Sequence, residues 1–144
     1  MSSEERIRWG WLKFMYAYTI VGAGVLGAAL IAAPGRAVSL LGWPEQDPIT
    51  LGVTASVYAA FGIVSVLGLR QPLKFVPILC LQLTYKIVWL LLVIVPMLMA
   101  GRLPGHGPLM IAIFASYIVG DLIAIPFWYV LGAQDAGRTT EHPA

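Results

Sequence analysis

The sequence predicts an all-α integral membrane protein, a four-helix antiparallel bundle with a short interfacial helix in its first outer loop. Three observations carry that expectation. Hydrophobic residues make up 59% of the 144 residues and charged residues only 11%, against roughly 45–50% and 25% in ordinary globular chains. Mean hydropathy is +0.82, and a domain of this size exposes too much of its surface to hide that much apolar area from water. The charges are also gathered into clusters, which leaves four long apolar runs. None of these runs alternates polar with apolar residues, and all are too long for barrel strands. Helices are then what satisfies the backbone in lipid. The same composition excludes a disordered chain and, with Cys80 as the one cysteine, a disulfide scaffold. The chain reads as a single transmembrane domain over residues 1–144.

The elements follow in order. The first span covers about 14–33, from Phe14 to Ala33; at 1.5 Å per residue it just crosses a core of roughly 30 Å. Its basic flank resembles a signal peptide, but the run exceeds a usual signal core and Ile31-Ala32-Ala33-Pro34-Gly35 lacks a small-x-small site, so an uncleaved span is expected. In the outer loop from Pro34 to Asp47, the stretch Gly35 to Trp43 sets apolar groups at helical spacing beside Arg36. That predicts a short helix lying in the interface and ended by Gly42 and Pro44, with a lid over an outward cavity as the alternative. The second span covers 48–69. A tight link, Arg70 to Lys74, leads to the third, 75–100, broken only by Lys86. A short outer loop, Gly101 to Pro108, leads to the fourth, 109–131, broken only by Asp121. Short links make helices two, three and four successive antiparallel neighbours.

Orientation follows from the basic residues. One side carries Arg6, Arg8, Lys13, Arg70, Lys74 and Arg138, the other only Arg36 and Arg102. The positive-inside bias then puts both termini in the cytoplasm. The formal net charge of +2 expresses topology rather than nucleic-acid binding, for which no basic face or aromatic platform exists outside the lipid. Trp9, Trp11, Trp43, Trp128 and Tyr129 fall near the expected water–lipid boundaries and read as aromatic belts. Trp89 sits near the middle of the third span and calls for packing or a cavity.

Several patterns mimic chemistry. Gly22-Ala23-Gly24-Val25-Leu26-Gly27 matches the dinucleotide fingerprint, but that motif needs a strand before it and a helix opening after it. Inside an apolar span the glycines instead permit close helix approach. Gly24, Ala28 and Ala32 form one small-residue row, and Gly52, Ser56 and Ala60 a second, so helices one and two are expected to meet through these seams. His106 and His142 fall on opposite sides of the membrane without ligand-spaced partners, so no metal site is expected. Cys80 reads as a small packing residue. No nucleophile elbow, paired carboxylates or HExxH occurs; catalysis has no motif behind it and no cofactor is implied.

The costly feature is the pair Lys86 and Asp121. An ionised side chain at mid-bilayer costs roughly 2.5–3.5 kcal/mol on insertion scales. With the third span centred near Val88 and the fourth near Gly120, the two lie within roughly 2 Å of one depth. A buried Lys86–Asp121 ion pair is therefore expected. Gln82 lies one turn before Lys86 and Tyr117 one turn before Asp121, and Tyr58 is near the middle of helix two, so these could complete a polar cluster. Pro96 and Pro126 are expected to bend helices three and four around it. The pair either fixes register or marks a ligand or proton site; a snorkelling Lys86 would need a stem longer than lysine has.

The stretch Ala33-Pro34-Gly35-Arg36-Ala37-Val38-Ser39-Leu40-Leu41-Gly42, followed by Val57-Tyr58-Ala59-Ala60-Phe61-Gly62-Ile63, resembles the small bacterial four-helix membrane proteins grouped around DoxX. The resemblance covers about the first half of the chain. It implies a bundle in a bacterial inner membrane, often as partner of a larger membrane system, and it carries over no catalytic residue. Two functional readings result. One is a non-enzymatic module, either an accessory subunit or a binder of an apolar lipid- or quinone-like molecule lined by Tyr58, Trp89, Lys86 and Asp121. The other is an oligomeric proton-coupled transporter using Asp121 and Lys86, against which stands the absence of an internal repeat.

Overall fold

The computed structural model describes residues 7–132; Arg6, Arg138 and His142 lie outside them. Six helices follow in order: α1 (Trp9–Ala32), α2 (Pro34–Leu40), α3 (Pro48–Arg70), α4 (Val76–Met99), α5 (Gly107–Ala124) and α6 (Phe127–Leu131). No strand occurs among the described residues. Four of the helices, α1, α3, α4 and α5, are long and apolar enough to cross a membrane. At 1.5 Å per residue the three longer ones run about 35 Å and α5 about 27 Å.

Local chemistry explains the boundaries. α1 begins at Trp9, five residues before the expected Phe14, because the lack of charge marks the apolar run whereas backbone hydrogen bonding continues through the Lys13 turn. α2 forms where a short helix was expected. It opens on Pro34, whose missing N–H costs nothing at a first turn. It closes on Gly42 at φ +64°, with Trp43 N–H on the Val38 carbonyl at 3.0 Å and Gly42 N–H on that of Ser39 at 3.1 Å. This is the Schellman arrangement, which needs a left-handed residue that glycine supplies without strain. Gly101 (φ +63°) ends α4 in the same way.

At the start of α3 the Asp47 carboxylate accepts both the Thr50 N–H (2.8 Å) and the Thr50 hydroxyl (2.9 Å). These bonds hold Asp47 below the usual carboxylate range. α4 matches the expected 75–100 within a residue at each end, and its Pro96 follows directly on a stretch of wide π turns, Leu90–Ile94.

The fourth element differs from its expected span of 109–131. α5 stops at Ala124, Ile125 turns extended (ψ 122°), and a separate short helix follows. Pro126 is the cause: it has no N–H to continue the ladder and forces its predecessor out of helical geometry.

The long helices reverse direction at each link. The start of α1, the 71–75 link and the end of α5 share one end, where Tyr16 donates to the Pro72 carbonyl (2.7 Å) and Arg8 to that of Ile123 (3.4 Å). α2, the 41–47 segment and the 100–106 link share the other. α1 packs along α3 and against α5, and α4 packs against α5. The expected close pairing of the second and third spans is the slightest of these contacts.

The seam between α1 and α3 also differs from expectation. Gly24 lies against Gly62, and Gly27 against Ala55 and Ala59. Ala28, Ala32, Gly52, Ser56 and Ala60 face outward. α1 also contains a π segment, Ile20–Gly24, which turns the residues after it relative to those before. Its cause is visible. Tyr117 donates its hydroxyl to the Tyr18 carbonyl at 3.1 Å, and Gly22 leaves the room that a Cβ would fill with that phenol oxygen. Met15 fills the equivalent hole at Gly120.

Candidate functional site

Two buried polar groups lie between an apolar cluster at the α1-start end, built on Leu12, Met15, Tyr16, Val76 and Leu79, and a smaller one around Leu30, Ala37 and Ala55. The first is a chain of three side chains from α1, α4 and α5. Thr19 donates to the Met15 carbonyl at 2.8 Å. Its hydroxyl lies 3.2 Å from Gln82 Nε2, and Gln82 Nε2 in turn donates to Asp121 Oδ2 at 3.1 Å. All three residues are fully buried. The glutamine acts as a bridge, with its amide serving the carboxylate that no water reaches.

The second group surrounds Lys86, which is 1% exposed. Its Nζ donates to Tyr85 Oη at 2.8 Å. It sits 4.3 Å from the ring centroids of Tyr85 and Tyr117 and 5.3 Å from that of Phe114. Aromatic faces carry negative charge density and attract a cation at such distances. Phe114 is in turn braced by Trp89 at 4.6 Å and Tyr85 at 6.1 Å.

The expected Lys86–Asp121 ion pair is therefore not formed: the ammonium and the carboxylate stay beyond the 4.0 Å of an ion pair and take other partners. The discrepancy traces to Pro126. With α5 ending at Ala124, its midpoint falls between Ala115 and Ser116 rather than near Gly120, and Asp121 lies about 8 Å from it. Asp121 is then level with Gln82, and Tyr117 and Phe114 are level with Lys86. Lys86 does not snorkel either, since its head group ends among rings.

The other expected site residues separate in the same way. Gln82 joins Asp121, while Tyr117 joins Lys86 through its ring and α1 through its hydroxyl. Tyr58 and Trp89 line a cavity of about 430 Å³ that opens toward the α2 end, with Trp43, Gln46 and His106 at its mouth and Met97, Met110 and Phe114 along its wall. Trp43, expected as a boundary belt, is partly buried at this mouth. Tyr58, Tyr85, Met110 and Phe114 also wall a smaller space of about 120 Å³ that reaches Lys86 and Tyr117. The two spaces thus share these four side chains as walls, and Lys86 lines the smaller one.

Thr19, Tyr85 and Phe114 escaped the sequence reading. Tyr85 adjoins Lys86, and Phe114 lies seven residues before Asp121 on one helical face, a spacing that could have drawn it in. Thr19 carries no comparable mark. Ser65 is fully buried with its hydroxyl unpaired among the described residues.

The glycine fingerprint lies wholly within α1, with no strand before it, so the context for a dinucleotide is missing. No group of three or more potential metal ligands occurs among the described residues. Compared with protein-family models, curated proteins and solved structures, the chain matches none.

Proposed function

We propose that the chain is a small polytopic protein of a bacterial inner membrane, non-enzymatic, that binds an apolar lipid- or quinone-like small molecule between its helices. The observation that carries this reading is the cavity of about 430 Å³, walled by Trp43, Tyr58, Tyr85, Trp89, Met97, Met110 and Phe114 among others, which shares part of that wall with the smaller space at Lys86. A mostly apolar cleft with a few convergent polar groups is the usual form of a small-molecule site.

Membrane insertion as a four-helix antiparallel bundle is supported by what the helices leave outside. Val21, Val25, Val53, Ile63, Leu92 and Leu98 are each more than half exposed, a display of apolar surface that water does not tolerate at this extent. Arg8, Lys13, Arg70 and Lys74 gather at the end where α1 starts, which supports a cytoplasmic placement of both termini. α2 would lie in the opposite interface. The likeness to the DoxX group supports a role beside a larger membrane complex, with the bound molecule shared or presented there. The transporter alternative gains nothing from this arrangement, because Asp121 and Lys86 serve separate polar groups.

Native mass spectrometry of the protein released from nanodiscs tests the reading. Wild type is expected to retain a small lipid-like mass that Trp89→Ala and Tyr58→Ala lose. A wild-type spectrum without any adduct, or adducts unchanged in both variants, would refute binding in this cavity.

A further inference from the structure

The smaller space beside the cavity is walled by Lys86, Tyr85 and Tyr58. The Lys86 ammonium has three N–H bonds and gives one to Tyr85. Having accepted it, the Tyr85 oxygen keeps its own O–H, for which no acceptor exists among the described residues. Tyr58 Oη likewise makes no hydrogen bond to the described protein, and it walls both spaces. The carboxylate that might have neutralised Lys86, Asp121, is occupied by Gln82 and beyond ion-pair distance. What remains is one buried positive charge and two phenol O–H groups on the smaller space, with Trp89 and Met97 on the larger cavity across the shared Tyr58, Tyr85 and Phe114 walls.

We infer that this site takes an apolar monocarboxylate, its carboxylate on Lys86, Tyr85 and Tyr58 and its hydrocarbon body between Trp89, Met97 and Phe114. The inference rests on the cavity being a ligand site and names the class of ligand. A carboxylate is an acceptor with two oxygens and no donor, which complements the ammonium and the two phenol O–H groups. Its charge matches an ammonium whose stabilisation is otherwise left to aromatic faces and one phenol. The size selects as well. About 430 Å³ lies toward the low end of small-molecule sites, which suits a medium-length acid better than a two-chain lipid.

The protein in phosphatidylcholine nanodiscs is titrated with octanoate and separately with 1-octanol, and tryptophan emission is followed, since Trp43 and Trp89 line the cavity. Octanoate is expected to saturate at a concentration at least tenfold lower than octanol. Lys86→Met is expected to abolish that preference, and Tyr85→Phe to reduce it severalfold; if Lys86→Met does not fold, Tyr85→Phe carries the test. Equal affinities in wild type, or an octanoate preference untouched by the folded variants, would overturn the carboxylate assignment while leaving the cavity a binding site. Failure of both compounds to saturate, together with loss of the lipid-like adduct in native mass spectrometry, would overturn both readings; with that adduct present, it would overturn the carboxylate alone.

Discussion

Replacing Lys86 by Met separates a charge kept for a ligand from one kept for the fold. Burying an ammonium costs several kcal/mol even after relaxation. Against this stand one hydrogen bond from the charged group to Tyr85 at 2.8 Å, worth about 1.5–3 kcal/mol, and two ring faces at 4.3 Å, worth about 1–2 kcal/mol each. Phe114 at 5.3 Å adds less. The favourable contributions therefore about equal the desolvation cost. Methionine fills most of the lysine stem without any charge to desolvate, and even whole buried ion pairs are often replaced by apolar residues with no loss or with a gain of about 1–4 kcal/mol. Lys86→Met is thus expected to unfold no more easily than wild type, and up to about 2 kcal/mol less easily, in reversible denaturation from mixed micelles. Lys86→Ala, which empties the same space, is expected to lose about 2 kcal/mol or more through its cavity. A loss above about 2 kcal/mol in Lys86→Met would refute the reasoning, because the ammonium would then be holding the helices together.

Gln82→Leu strips the amide from Asp121 and is expected to cost about 1.5–3 kcal/mol, with Gln82→Leu/Asp121→Leu recovering part of that loss; strictly additive melting shifts would mean the two side chains act independently. Gly27→Val is expected to cost about 1–3 kcal/mol by overpacking, since its Cβ would come within 2.7 Å of the Ala55 carbonyl oxygen, which is backbone and cannot rotate away. Ala28→Val, one residue on and facing outward, is the control, and equal melting of the two variants would contradict the seam. Asp47 supplies a pH signature. Its carboxyl is depressed by the Thr50 bonds in the folded state, so its stabilisation is present above the ordinary carboxylate pKa and is lost as pH falls through the depressed value. The melting difference between wild type and Asp47→Ala should shrink on acidification through that range, and a difference constant with pH would rule out the cap as its source.

Charge placement made the helices legible. Runs without charge locate α3 and α4 to within a residue or so, since a charge in a long apolar helix is costly wherever it falls. The α2 helix and its Gly42 stop were legible because a positive-φ glycine after a short amphipathic run is a local signal. Depth was not. The expected Lys86–Asp121 pair assumed that the charge-free run to Leu131 was one helix, whereas Pro126 divides it, and a hydropathy run cannot report where backbone geometry stops. The small-residue seam failed for another reason: small residues occur on several faces of both helices, and spacing alone does not say which of them a neighbour meets. The π segment at Ile20–Gly24 was equally hidden. Its trigger is a contact between Tyr117 and Tyr18, 99 residues apart, which no local pattern contains.

The offset between Lys86 and Asp121 is itself enforced by shape. Tyr117 occupies the hole at Gly22, and Met15 the hole at Gly120. Bringing Asp121 level with Lys86 would require α5 to slide one turn, about 5.4 Å, toward the α2 end. Tyr117 would then face Leu26 instead of a glycine, its hydroxyl would leave the Tyr18 carbonyl, and Gly120 would leave Met15 for Thr19. Packed interiors do not deform by such amounts continuously; they occupy one arrangement or another. Two glycine holes therefore keep the carboxylate with Gln82 and leave the ammonium without an ion-pair partner beside the small space walled by Tyr58, Tyr85 and Phe114. A protein selected only to neutralise its buried lysine needed no more than an aspartate at the Tyr117 level, one turn closer to the α2 end. The register that denies Lys86 that partner is the strongest physical argument that its partner arrives from outside the chain.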